Sequence, residues 1–249
     1  MEIDVSKDAK EMGKRAGAKA ATLIRQAIDA HGHANIILAT GTSQFETLNQ
    51  LLREPDIEWK KVTMFHLDEY IGLPATHPAS FRKYLQERFI SRVQNLNAAY
   101  LIDGENNPEA ECKKLGELIS KHPIDVALVG IGENGHLAFN DPPADFKTLS
   151  SYIVVTLDVP CRKQQMGEGW FKTMLEVPTQ AISMSIQQIM KSKYIICSVP
   201  DERKAIAVKN TLEKEVSNFY PASILRQHEH CDIYLDHASA SLLSSKKIA

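Results

Sequence analysis

Three segments of this sequence end apolar runs in residues able to do chemistry. In the first, NIILATGTSQFETL, the apolar run stops at Thr40, Gly41, Thr42 and Ser43, and a helical stretch follows. Small residues there let backbone N–H groups and hydroxyls converge on an anion where a helix begins. The same residues would also make a plain turn with Ser43 as helix cap. A Walker A lysine is missing, which disfavours an ordinary nucleoside triphosphate site. In the second segment, KVTMFHLDEYIGLPATHPASF, Asp68 and Glu69 follow the strand directly. Neighbouring strand residues project in opposite directions, so one carboxylate at most faces a cleft. A carboxylate at such an edge is a candidate general base; a solvated turn with paired acids is the plainer alternative.

The third segment is IDVALVGIGENGHLAFNDPPADF. Gly130, Gly132 and Gly135 satisfy a GxGxxG pattern, but a dinucleotide site needs a helix beginning inside the motif. Pro142 and Pro143 follow too closely for that helix. The segment reads better as an active-site loop. His136 follows Gly135, with Asn134 before it and Asp141 five residues after. A histidine needs a partner to fix its tautomer and raise its basicity, and a nearby carboxylate serves.

The elements that would position these segments alternate. Apolar strand-like runs at 35–39, 61–67, 124–130, 152–157, 181–186, 194–199 and 232–235 are separated by helical stretches near 44–53, 79–93, 107–121, 201–214 and 237–245. A first helix over 6–31 has Ser6 as its N-cap. Nearly continuous apolar strands between helices imply a doubly wound, Rossmann-like α/β fold: a mostly parallel sheet with helices on both faces. Ligands of such sheets bind outside the carboxyl ends of the strands, where all three segments lie. No long linker or repeat divides the 249 residues, and one domain over 1–249 is the economical reading.

Composition limits the function classes. The net charge is -2 and the isoelectric point about 6.5, so no global field draws the chain to nucleic acid or to a membrane surface. An anionic substrate must therefore be held by a local site. The four cysteines form no zinc pattern, and the apolar runs are too short to span a bilayer, which points to a reduced, cytoplasmic setting. The pairs His31/His33 and His228/His230 place no third ligand, and no metal is assigned to them.

The segments LATGTSQ (38–44), FHLDEYIGLPATHPASF (65–81) and GIGENGHLAFNDP (130–142), with weaker matches in PDERKAIAV (200–208) and PASIL (221–225), resemble the glucosamine-6-phosphate deaminase/isomerase family. The resemblance covers essentially the whole chain. It implies a modified doubly wound sandwich that turns glucosamine 6-phosphate into fructose 6-phosphate and ammonia without metal or cofactor. Its partner is thus a phosphorylated amino sugar, and the family's assemblies leave a homo-oligomer open. By the resemblance, Asp68 matches the base that moves a proton between sugar carbons 2 and 1. His136 matches the residue that opens the pyranose ring, and Asp141 stands where a glutamate usually orients that histidine. Asn134 occupies a position that is aspartate in some members. Residues 41–43 and Lys204 match phosphate-holding positions, with Thr40, Glu69 and Gly135 as adjoining binding residues.

The chemistry is coherent with that reading. Aldose–ketose conversion needs an open chain and then proton abstraction alpha to a polarised carbon. The substrate's own amine becomes an iminium as electrons move, so no metal is required to stabilise an enolate. One departure lies in the expected lid near 145–175. Family members carry a phosphate-gripping arginine just ahead of an aromatic pair; here Gly167 or Gly169 falls there, while Arg162 and Lys163 lie further back. Trp170 and Phe171 read as packing residues of the lid. Two rivals are set aside on sequence grounds. A 6-phosphogluconolactonase-type hydrolase would lack the DEYIGL segment, and a non-catalytic sugar-phosphate sensor would need neither Asp68 nor His136.

Overall fold

In the computed structural model, which describes residues 1–244, the elements in chain order are β1 (Glu2–Ser6), α1 (Ala9–His31), β2 (Ala34–Leu38), α2 (Phe45–Leu51), β3 (Val62–His66), β4 (Asp68–Tyr70), α3 (Phe81–Arg88), β5 (Ala98–Tyr100), α4 (Pro108–Ile119), β6 (Val126–Val129), β7 (Tyr152–Thr156), α5 (Val159–Gly167), β8 (Gln180–Met184), α6 (Ile186–Met190), β9 (Tyr194–Val199), α7 (Ala205–Glu213) and β10 (Cys231–Asp236). Seven strands form one wholly parallel sheet in the order β1-β10-β9-β6-β2-β3-β5.

Strand residues alternate between two cores. Ile36, Leu38, Met64, Val126 and Leu128 pack with Met12, Ala16, Ala20 and Ile24 of α1 and with Leu48 and Leu51 of α2. Ile37, Phe65, Ala127, Val129, Ile195 and Cys197 face the other way, onto Leu115 and Ile119 of α4 and Val208 and Leu212 of α7. Period-two alternation on strands buried on both faces is what a covered parallel sheet requires. The doubly wound α/β architecture expected from the sequence is therefore present.

Three local expectations are corrected. The runs at 152–157 and 181–186 do not join the parallel sheet. They form β7 and β8 of a separate antiparallel sheet, β4-β8-β7, with Ile153 opposite Ser183 and Val155 opposite Ala181. Ser6 ends β1, and the cap of α1 is Asp8, whose carboxylate accepts from Glu11 N at 2.8 Å. The expected helix at 237–245 is instead turns over 237–242, and position 245 lies outside the described residues.

The small sheet matters for the site because β3 runs into it. The chain leaves the parallel sheet at His66 and enters the antiparallel one at Asp68, with only Leu67 between. Asp68 is thereby fixed at the seam of the two sheets.

Candidate active site

The parallel sheet reverses its winding between β2 and β6: β3 and β5 lie to one side of β2, β6 and β9 to the other. A crevice opens at such a switch point, outside the carboxyl ends of the strands. Four adjacent strands feed it: β2 leads into residues 40–43, β3 into Asp68, β6 into Gly130 and Gly132, and β9 towards Lys204. All of these line one cleft, joined by His136 and by Gln164, Gln165 and Glu168 from α5 and its end.

Asp68 is 7% exposed, and its carboxyl makes no hydrogen bond among the described residues. Burial, and then the neighbouring Glu69 charge, push its carboxyl up to about 8. Glu69, its neighbour, does not reach the cleft. It is fully buried, and its carboxylate accepts from Tyr70 N, Ser80 Oγ, Phe81 N and Arg82 N at 2.7 to 3.2 Å. Apart from Tyr70 N in β4, those donors are the first turn of α3 and its Ser80 cap. The adjoining binding role expected of Glu69 is corrected to a helix-capping one, because strand alternation sends it away from Asp68.

His136 is held from behind. Its Nδ1 lies 3.0 Å from Asp141 Oδ1, which also accepts from Asn134 Nδ2 at 2.8 Å. Asp141 Oδ2 takes Asp158 N at 2.9 Å. Burial alone would raise the Asp141 carboxyl, but the contacts from His136, Asp158 N and Asn134 hold it below the usual range. An ionised carboxylate only accepts, so Nδ1 carries the hydrogen and Nε2 is the free basic nitrogen. The side chain one methylene shorter than the family's glutamate still reaches, because tight turns (Asn140 N to Leu137 O, Asp141 N to Phe139 O, both 3.1 Å) draw the backbone in.

Asn134 also accepts from His136 N through Oδ1 at 3.1 Å, so it fixes the loop. Gly135 turns the loop at φ 88° and stands behind the histidine, away from the cleft lining. The glycine pattern has a steric cause unrelated to dinucleotides. A Cβ on Gly132 would lie 2.3 Å from His136 Nε2, and one on Gly130 would lie 2.9 Å from Ser43 Oγ.

At the other end of the cleft, residues 42–44 form a 3-10 turn that starts at Gly41 (φ 88°) with no side chain capping it. Lys204 faces this loop at 5% exposure, and its ammonium makes no hydrogen bond or ion pair among the described residues. Burial lowers its ammonium from the ordinary lysine value against the opposing pull of Glu168 and Glu133. A buried cation without a partner is costly, and an anion in the cleft would relieve that cost.

The lid differs from expectation in its charges. Arg162 is engaged by the carbonyls of Met174 and Val177, and Lys163 is exposed; neither lines the cleft. Where the family's arginine is expected, α5 ends at the exposed Gly167 and the left-handed Gly169. Between them Glu168 points into the cleft, held by Gln164 Nε2 at 2.9 Å and Trp170 Nε1 at 3.3 Å. Phe171 packs as expected, edge-on to Tyr70 at 5.6 Å between ring centres. The sequence reading missed Gln164, Gln165 and Glu168. Their one signal is the i, i+4 spacing of Gln164 and Glu168, which puts both on one helix face.

A ring nitrogen of His136, an Asp141 oxygen and Cys161 Sγ lie within 4.8 Å of one another. Burial, then the Asp141 and Asp158 charges, drive the Cys161 thiol far above its ordinary value. The donor set is thus that of a hydrogen-bonded cluster: a thiol kept protonated is a poor metal ligand.

A doubly wound sheet with acid–base groups and a buried lysine at its switch point defines an α/β enzyme. Comparison with known proteins gives the family. The family described as glucosamine-6-phosphate isomerases/6-phosphogluconolactonase matches residues 7–234. The chain is 38% identical over 232 residues to a glucosamine-6-phosphate deaminase of Listeria monocytogenes serotype 4a, covering 92% of this chain and 97% of that one. It is 33% identical to one from Lactobacillus delbrueckii subsp. bulgaricus, covering 98% and 100%. A solved structure described as a monomeric glucosamine-6-phosphate deaminase superposes with a TM-score of 0.87 at 31% identity, covering 98% of this chain and all of that one. The 6-phosphogluconolactonase of Trypanosoma brucei shares the fold at a TM-score of 0.79, with 17% identity over 98% of each chain. The chain belongs to the glucosamine-6-phosphate isomerase/6-phosphogluconolactonase family.

Proposed function

We propose that the chain converts glucosamine 6-phosphate into fructose 6-phosphate and ammonia. The observation that carries the reading is Asp68: a buried, unpartnered carboxyl sharing one cleft with a His–Asp pair and an unpaired lysine. Hydrolysis of a lactone needs no base beside a sugar carbon 2, whereas isomerisation does. The deaminase relatives and the deaminase structure support the same side of the family.

The phosphate sits between residues 40–43 and Lys204, which places the other end of the sugar at Asp68 and His136. His136 Nε2, with Asp141 fixing its tautomer, moves the proton from the anomeric hydroxyl to the ring oxygen and opens the ring. Ionised Asp68 removes the proton from carbon 2. The electron pair forms the carbon 1–carbon 2 double bond, and the aldehyde oxygen takes up a proton. Return of the proton to carbon 1 draws electrons from the nitrogen and leaves a carbon 2 iminium. Water adds to that carbon, and ammonia leaves as the ketone forms. Substrate brings an ammonium group to Asp68, and a positive charge there favours the ionised carboxylate that the reaction needs; the ammonium then releases one proton to solvent, which frees the nitrogen pair that forms the iminium.

The setting is the cytoplasm, where phosphorylated sugars are retained. Among the described residues no helix is long and apolar enough to cross a membrane. The test is ammonia release from glucosamine, galactosamine and N-acetylglucosamine 6-phosphates. Release from a free-amine sugar phosphate, and none from the acetylated one, is expected. Absence of ammonia from all three would refute the proposal.

A further inference from the structure

Gln165 is fixed in the cleft by a contact that the reaction does not require. It lies on α5, 6% exposed, and lines the cleft beside Asp68 and Phe139. Its Oε1 accepts from the hydroxyl of Tyr70 at 2.8 Å. Tyr70 is fully buried, with its ring 5.0 Å from Phe81, 5.2 Å from Phe139 and 5.6 Å from Phe171. Aromatic contacts on three sides leave the phenol one orientation, and its single O–H proton goes to Gln165.

The consequence is a polarised amide. With Oε1 engaged, flipping the amide would turn two N–H donors onto a hydroxyl whose proton already points at them. The Nε2 group therefore stays on the other side, and it has no partner among the described residues. Its two donors open onto the cleft, where they are free for the acceptors of a bound ligand. Asp68 stands at the carbon 2 end of this cleft and Lys204 at the phosphate end. The hydroxyls on carbons 3 and 4 of a bound sugar phosphate span the stretch between them.

We infer that Gln165, locked by Tyr70, is a specificity-determining residue that donates to a hydroxyl on carbon 3 or carbon 4 of the substrate. The inference rests on the functional reading above and deepens it. It accounts for glutamine in a lid whose neighbouring cleft groups, Gln164 and Glu168, already satisfy each other at 2.9 Å.

The experiment compares wild type, Gln165→Met and Tyr70→Phe on glucosamine 6-phosphate and its 3-deoxy and 4-deoxy analogues, reading kcat/KM from ammonia release. Methionine keeps the length of the side chain but cannot donate, and phenylalanine removes the hydroxyl that orients the amide while keeping the ring. Losing the contact is expected to lower wild-type kcat/KM on one of the two deoxy sugars by about ten- to a hundredfold. Gln165→Met should lose a similar factor on the full substrate and nothing further on that same deoxy sugar. Tyr70→Phe should narrow the preference for the full substrate, even if the methionine variant fails to fold. A loss of equal factor on all three sugars in both variants would overturn the inference while leaving the deaminase reading intact. Wild type releasing no ammonia from any of them would overturn both.

Discussion

Replacing Asp68 with asparagine should abolish turnover and stabilise the fold, and the gain should grow with pH. An ordinary aspartate loses its proton near 3.8, whereas burial holds Asp68 protonated in the folded state up to about 8. Between those values the folded state binds a proton that the unfolded state has released. Folding then takes up a proton, and stability falls as pH rises. Each pH unit inside that window costs ~1.4 kcal/mol, so at pH 7 the side chain costs on the order of 4 kcal/mol against a neutral isostere. An asparagine side chain does not ionise and escapes that penalty. For a chain of this size that difference is about 10 °C in Tm. Thermal melts of both proteins at pH 5 and pH 8 are the assay. The asparagine variant should melt only slightly higher at pH 5 and much higher at pH 8, with ammonia release lost at both. A gap in Tm independent of pH, or a destabilised variant, would refute the assignment of a strained base at this position.

His136→Gln should impair cyclic substrate far more than an analogue supplied in open-chain form, and equal damage to both would count against ring opening. Asp141→Asn should show the same pattern more mildly, because it orients the imidazole and does not itself carry the proton. Lys204→Ala should raise KM for phosphorylated sugar by about ten- to a hundredfold, with a smaller penalty for unphosphorylated sugar; an unchanged KM would move the phosphate elsewhere. Regulation should be absent. The family resemblance also implies that some members bind N-acetylglucosamine 6-phosphate as an activator on an arginine and a lysine where Ile153 and Val155 stand on β7, and these apolar side chains cannot pair with a phosphate dianion. Rates should therefore be hyperbolic in substrate and unaffected by N-acetylglucosamine 6-phosphate, and a sigmoidal curve that the acetylated sugar makes hyperbolic would refute this.

Much of the site was legible because strand ends announce themselves: an apolar run stops, and Gly41, Asp68 or Gly130 follows. Which partner each residue takes was not. Glu69 looked equivalent to Asp68, and only the fold brings the start of α3 onto it, eleven residues further along the chain in the case of Ser80. The antiparallel β4-β8-β7 sheet escaped because an apolar run does not reveal whether its strand pairs parallel or antiparallel, and β4, with the sequence DEY, is no apolar run at all. β1, with the sequence EIDVS, is short and half polar, and its pairing with β10 depends on a partner more than two hundred residues away. Helix α5 is too polar to signal a buried face, so Gln165 and Glu168 became visible only once it was packed over the cleft. The Tyr70 lock has no local signature at all, since it joins residues ninety-five positions apart.

The most direct test of the central claim follows the hydrogen on carbon 2. Glucosamine 6-phosphate deuterated at that carbon is incubated with wild type and with Asp68→Asn, and ammonia, fructose 6-phosphate and the deuterium at carbon 1 are measured together. Wild type should release ammonia and fructose 6-phosphate in equal amounts, with part of the deuterium delivered to carbon 1 by the single base that removed it, and the variant should give neither product. Ammonia release that survives in Asp68→Asn, or wild type that releases none, would contradict the account.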